Sequence, residues 1–310
     1  DPDPDPDPHP DPGARPPRPT RPDGLHVSGS RATLSIEETW KNGRLDGPRR
    51  IYRHKLLVLE ESYKDGVLDG DWTAYRTSGG PRATGRYRAG KRDGTWASYY
   101  SNGKLQARGD YAGGVKHGWW IHHDRAGREL GRYEMKQGTG IERTWHRPGK
   151  VESELEMVDG LRHGAYRRYA PSGKVVAEGR FARDRREGPW VERYPDGKIR
   201  LEASYRHGLL EGAYRRYHPN GTVALETSYE GGVREGRYLS RYRDGRTEID
   251  ATYRAGKLDG DAVEYHDNGK VAERSRWGSG VLDGTFEVFS PDGKLVSRST
   301  YQQGVRVDDR

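Results

Sequence analysis

Cysteine is absent from the 310-residue chain, which removes disulfides, thiolate chemistry and zinc–sulfur sites from consideration. Long apolar runs are absent as well: none approaches the roughly 20 residues that a membrane-spanning helix needs. Hydrophobic residues make up only 31% of the chain against 33% charged residues and 43 glycines, so a thick apolar interior is excluded. Phenylalanine is scarce, with 3 residues, but there are 20 Tyr and 8 Trp. Disordered chains are poor in aromatics, and Tyr and Trp combine an apolar body with a polar handle. The composition therefore implies a thin, ordered structure with large wet faces rather than the two globular domains that length alone suggests.

The formal net charge is +8. The six Asp and three Arg of residues 1–24 leave about +11 on residues 25–310, which favours acidic partners mainly through association rate. Residues 1–24 also hold ten of the 18 prolines. Proline fixes φ and extends the residue before it, so this stretch reads as a disordered, semi-rigid spacer, either a tether or an inert leader. The first residue is Asp rather than Met. With the Pro-rich leader, this points to export or a cell-envelope location, the alternative being cytoplasmic.

Residues 25–310 read as an array. One glycine recurs at Gly47, Gly70, Gly94, Gly118, Gly140, Gly164, Gly188, Gly212, Gly236, Gly260 and Gly284, spaced 23, 24, 24 and 22 residues and then 24 throughout. Two residues after this marker stands an aromatic in most units: Trp72, Trp96, Trp120, Tyr166, Trp190, Tyr214, Tyr238 and Phe286. A second aromatic follows three or four residues later. It is either on the opposite strand face or returned to the same face by a bulge. Next come pairs such as Asn102-Gly103, Asp196-Gly197 and Asn220-Gly221, for which a type I′ hairpin turn is predicted. The following stretch alternates with period two, as a strand does; Ile199, Leu201, Ala203 and Tyr205 share one face. A closing aromatic is expected seven residues before the next marker, at Tyr87, Tyr111, Tyr133, Phe181 and Tyr205 among others. Leu34, Ile36 and Trp40 read as a half-unit at the start. Asp308, Asp309 and Arg310 are suited to blunt an edge strand at the end.

Two strands per unit give an all-β fold: an elongated hairpin meander of about eleven units, an open single-layer sheet about 100 Å long at about 4.8 Å per strand. The repeat, seen in Gly94, Trp96, Tyr99, Asn102, Gly103, Lys104, Tyr111 and Gly114, resembles the variant MORN repeat of the bacterial YwqK-type antitoxin family. The resemblance covers about residues 34–304. The Gly47 unit departs from it with His54-Lys55 in place of a turn glycine, and the Gly140 unit with Glu142 and Met157 in aromatic places. The resemblance implies hairpin arrays that bind other proteins, some as antitoxins beside secreted toxins. Related arrays are linked to membranes, phospholipids and self-association.

Three sets of residues are candidate sites. His122 and Asp124 carry metal-ligand chemistry and are expected on one strand face; the alternative is that His123 replaces the repeat Tyr and its neighbours are solvated. Arg167, Arg168, Arg215 and Arg216 recur two units apart and could form a basic stripe for phosphate or carboxylate groups, or pair across strands with Glu178, Glu192, Glu202 and Glu226. The aromatics could stack bases or sugars, but their presence in every unit assigns them to packing. No phosphate loop, catalytic constellation, cofactor fingerprint or specific nucleic-acid signal is present. The expected function is a non-enzymatic scaffold binding a protein partner, with a toxin as the specific case implied by the resemblance. The alternative is an envelope-associated array binding anionic lipid or cell-wall polymer.

Overall fold

The computed structural model describes residues 22–30 and 32–307; the Pro-rich leader up to residue 21 and residues 308–310 lie outside them. The described residues form 28 β-strands, each antiparallel to its partner, and no helix. The expected all-β hairpin meander is thus the architecture. It divides into two compact units, one running to Gly114 with Arg125–Gly127, the other holding Val115–Asp124 and everything from Arg128 on.

Most hairpins place their closing aromatic opposite their marker glycine. In the first unit Gly70 faces Tyr87 and Gly94 faces Tyr111; in the second Gly164 faces Phe181 and Gly188 faces Tyr205. The register then slips by one residue just before the second aromatic, between Ala74 and Tyr75 and between Glu192 and Arg193. The extra residue is on the returning strand (Arg82 and Arg200), so the first strand keeps its alternation. Of the two alternatives left by the sequence, the first holds: aromatics occupy both faces, and the bulge, lying on the returning strand, does not bring the second aromatic back to the face of the first.

The type I′ turns predicted within the units are found instead between them. Backbone φ is positive at two successive residues only where hairpins are linked, as at Ala89-Gly90 (49° and 79°) and Ala255-Gly256 (47° and 78°). These are the type I′ turns, in which two positive φ values match strand twist. Within a unit, only the glycine of Asn102-Gly103 has positive φ, 81°. The Gly103 N–H donates to the Tyr100 carbonyl at 2.9 Å, closing a type I turn that ends in a left-handed residue. The exception is the Gly47 unit, where His54 and Lys55 take positive φ at 48° and 66° and make the hairpin turn without any glycine.

Two further expectations are corrected. Leu34–Lys41 is no half-unit, because Gly24–Ser30 pairs with it from Leu34 to Trp40. In the Gly118 unit the residue opposite the marker is Met135, and Tyr133 lies two residues inside, opposite Trp120. The cause is the 22-residue spacing to Gly140: the linking turn at Gln137-Gly138 is intact, but two residues are missing between it and the marker, and Met135 pairs directly with Gly140.

Linking turns also bind one another. The second residue of each donates to the carbonyl two residues before the preceding marker, as in Gly90 N–H to Leu68 (2.8 Å) and Gly256 N–H to Arg234 (2.9 Å). At about 0.5–1.5 kcal/mol for each such bond, cohesion is spread evenly along the array.

Candidate functional site

The repeat positions first have to be separated from what remains for binding. One face is an aromatic seam. Trp96 lies 5.2 Å from Trp72 and meets Tyr87 and Tyr111 edge-on at 5.2 and 5.9 Å. In the second unit Trp190 stacks on Tyr166 at 5.4 Å and 10°, with Phe181 and Tyr205 edge-on. The indoles need glycine beneath them: a Cβ on Gly85 would lie 2.1 Å from the Trp96 ring, and one on Gly179 would lie 2.1 Å from Trp190. The residue two places before the marker closes the seam with a cation. Arg92 sits 4.6 Å over Trp96, Arg186 4.2 Å over Trp190, Arg234 4.8 Å over Tyr238, and Lys116 4.7 Å over Trp120. Other units carry Leu68, Leu210, Leu258 or Leu282 there. This alternation of Arg or Lys with Leu is visible in the sequence but went unread.

The recurring polar residues are likewise committed to structure. The acid before the marker accepts a backbone N–H from the next linking turn, as Glu187 does from His207 (2.8 Å) and Glu235 from Ala255 (2.7 Å). The turn asparagines reach the next hairpin turn, Asn102 to the Arg125 carbonyl at 2.9 Å and Asn220 to that of Arg243 at 2.7 Å. Tyr194 and Tyr242 donate to the carbonyls of Tyr217 and Tyr265.

The opposite face is wetter and less regular. It carries the second aromatics with arginines and glutamates between them. Arg143 pairs with Glu154 at 2.9 Å, Arg193 with Glu178 at 3.2 Å and Arg241 with Glu226 at 2.8 Å. Tyr169 donates to Glu154 at 2.8 Å and Tyr75 to Glu60 at 3.3 Å. The hydrogen bond from Arg143, aided by that from Tyr169, holds the Glu154 carboxyl below the usual carboxylate range. Burial first, and then Glu202, pushes the Tyr217 hydroxyl up to about 12. Pairs this exposed contribute about 0–1 kcal/mol each, so this face is not what holds the sheet together.

The four arginines of the expected stripe divide between the faces, because neighbouring residues on a strand point opposite ways. Arg167 stands opposite Glu154 and Glu178, and Arg215 opposite Glu202 and Glu226. Arg168 and Arg216 share the aromatic face with Tyr166 and Tyr214, opposite Ala177 and Leu225.

His122 and Asp124 also separate. His122 lies in the seam, 5.7 Å from Tyr133 and 5.4 Å from Trp145, and its Nε2 has no hydrogen-bond partner. Asp124 belongs to the turn, where it accepts from the Arg128 backbone N–H (2.9 Å) and side chain (2.8 Å). Among the described residues no group of three His, Cys, Asp or Glu is placed to hold a metal. Burial, and then the Lys116 charge, lowers the His122 pKa from 6.5 to about 4. The folded unit therefore holds the neutral ring. This contribution is complete above pH 6.5 and is lost as the pH falls towards 4, at about 1.4 kcal/mol per pH unit and about 3 kcal/mol in all. Urea unfolding of the wild type is expected to weaken by that amount between pH 7 and pH 4 relative to His122→Phe. Parallel pH dependence in the two proteins would refute the assignment.

The profile of the MORN repeat variant matches residues 92–112, 162–182, 186–207, 210–230, 258–277 and 282–303. The first three matches open on the cationic caps Arg92, Arg162 and Arg186, and the others on Leu or its counterpart two residues before a marker. The Gly118 and Gly140 units, with the shortened link and the displaced aromatic, lie outside the matches. No curated protein matches the chain. Among solved structures, one similar chain belongs to the Tc holotoxin pore of Photorhabdus luminescens, in a mutant form. The alignment covers 87% of this chain and 17% of that one at 12% identity, with a TM-score of 0.15. That superposition is too poor to assign a common fold.

Proposed function

We propose that this chain, a MORN-repeat protein by the six matched hairpins, is a non-catalytic scaffold that binds another protein, with an antitoxin- or immunity-like role as its specific form. The observation that carries this reading is the division of labour between the faces. Repeat aromatics, asparagines and marker-flanking acids are consumed in holding hairpins together, whereas half-exposed Tyr, Arg and Glu side chains vary along the opposite face. Tyr and Arg are the residues on which protein interfaces concentrate their energy, and their mixture with carboxylates supplies register. The full chain is expected, as bait in cell lysate and envelope fractions, to retain one stoichiometric protein through a high-salt wash. Retention of nothing but salt-labile polyanions would end this reading.

A second reading has its own observation. In the position three residues before the marker, Val67, Leu209, Val233 and Val281 are 44–53% exposed. In other units Lys91, Arg185 and Lys257 hold that place. Such a ridge of apolar and basic side chains suits an anionic lipid or cell-wall polymer in an exported or envelope setting. Sedimentation with phosphatidylglycerol vesicles, lost in about 0.5 M salt, is its expected signature; absence of sedimentation at low salt removes it.

A further inference from the structure

The Gly140 unit breaks the turn grammar at one residue. Elsewhere proline stands two places before the turn glycine, at Pro171, Pro195, Pro219 and Pro291. Here it stands next to it, as Pro148-Gly149. The turn moves with it: Arg147 pairs with Lys150 across a two-residue loop, and His146 drops out of register. Proline followed by glycine at a positive φ of 69° is the pairing a type II turn demands.

The shift removes a stitch. Asn102, Asn220 and Asn268 each donate to a carbonyl of the next hairpin turn, and Lys174 and Lys270 do the same with their ammonium groups. Pro148 has no amide to offer, and Lys150 makes no such bond to the turn at Ala170–Gly173 among the described residues. What remains is a hollow of about 230 Å³ lined by Lys150, Val151, Glu154, Tyr169, Pro171 and neighbouring turn atoms.

We propose that this hollow anchors the protein interface, taking one apolar side chain of an acidic segment of the partner. The inference rests on the protein-binding reading and names the chemistry of the partner. Three observations support it. The volume is below the roughly 300–1,000 Å³ of small-molecule and cofactor sites, so it suits a single side chain. Its floor is apolar, from Val151, the Tyr169 ring and Pro171. Its free charge is positive: Glu154, the carboxylate in the lining, is already held by Arg143 and Tyr169, whereas exposed Lys150 in the lining, and exposed Arg147 opposite it across the turn, pair with no carboxylate among the described residues. Carboxylates flanking the inserted side chain therefore meet two available cations.

The probe is the tripeptide acetyl-Asp-Leu-Asp-amide, titrated into the isotope-labelled full chain and followed by backbone amide resonances, with acetyl-Lys-Leu-Lys-amide as the contrast. The acidic peptide is expected to saturate shifts at Val151, Tyr169 and Gly173 with a dissociation constant on the order of millimolar. Lys150→Glu, at an exposed position, and Ala170→Trp, which fills the hollow, should each weaken it by about tenfold. No shift at these residues, equal shifts from both peptides, or binding unchanged in Lys150→Glu would overturn the proposal. If a protein captured by the full chain binds Lys150→Glu and the wild type alike, the scaffold reading stands and this anchor falls.

Discussion

Gly179→Val is expected to destabilise the second unit by about 3–5 kcal/mol. The glycine lies beneath Trp190, which is 3% exposed, and the first carbon of any side chain would enter the indole at 2.1 Å. The ring has to leave, and with it go its stack on Tyr166, its two edge contacts and the Arg186 guanidinium above it. A strand valine is otherwise favourable, so a loss of this size isolates the steric cause. The sequence carries its own control. Where the next unit presents Tyr instead of Trp, the corresponding positions are Ala203 and Thr227. Urea unfolding followed by tryptophan emission should show the loss in Gly179→Val and little further loss when Trp190→Ala is added to it, because the expelled ring has already given up its contacts. If the single variant costs less than about 1 kcal/mol, the seam does not hold the hairpins together as described.

Arg49→Ala should be nearly as damaging to the first unit, by about 3–5 kcal/mol. Arg49 stands where other units have their first aromatic, and it is clamped between Glu38 at 3.1 Å and Glu61 at 3.0 Å, both carboxylates 3% exposed. Removing the guanidinium strands two buried negative charges side by side. Tyr63 donates to Glu61 at 3.1 Å, and burial, followed by the Glu61 charge, pushes its pKa up to about 12. Its folded value lies above the ordinary 10, so that part of the stability is whole below pH 10 and is lost between pH 10 and pH 12. Desolvation cancels much of what a buried ion cluster contributes. Replacing Arg49 by Trp together with both Glu38 and Glu61 by Gly, so that each indole lies over a glycine of the preceding strand as Trp96 does over Gly85, should therefore be neutral or stabilising. Thermal unfolding of the two variants separates these outcomes: equal losses in both would show that the ion cluster itself, rather than an unpaired charge, is what matters.

Much of this was open to reading from the chain, and the failures have local causes. The marker glycines and closing aromatics gave the hairpins because period 24 and period two cannot be met together by any helix. Asn102-Gly103 misled because the same dipeptide suits two turns. The deciding quantity is how many residues lie between the last paired positions, and that is set by the bulge one residue after Ser98. Tyr133 was misplaced because Gly140 follows its linking turn two residues sooner than other markers do, so counting back from it lands on the wrong side chain although the returning strand keeps its usual register. Arg167 and Arg168 were legible: alternation alone sends adjacent residues to opposite faces, so four arginines could never make one stripe. His122 was not, since its neighbour Trp145 arrives from another hairpin through a doubly bulged strand. Pro148 needed only a one-residue comparison with Pro171.

The most direct test of the central claim is the salt dependence of affinity for the captured protein, measured by calorimetry with the full chain. A scaffold that uses Tyr and Arg on its wetter face predicts one-to-one binding, a negative heat-capacity change and an affinity that falls less than about tenfold between 0.15 and 0.5 M salt. A fall of several orders of magnitude, with no heat-capacity change, would contradict it and make the chain a polyanion binder.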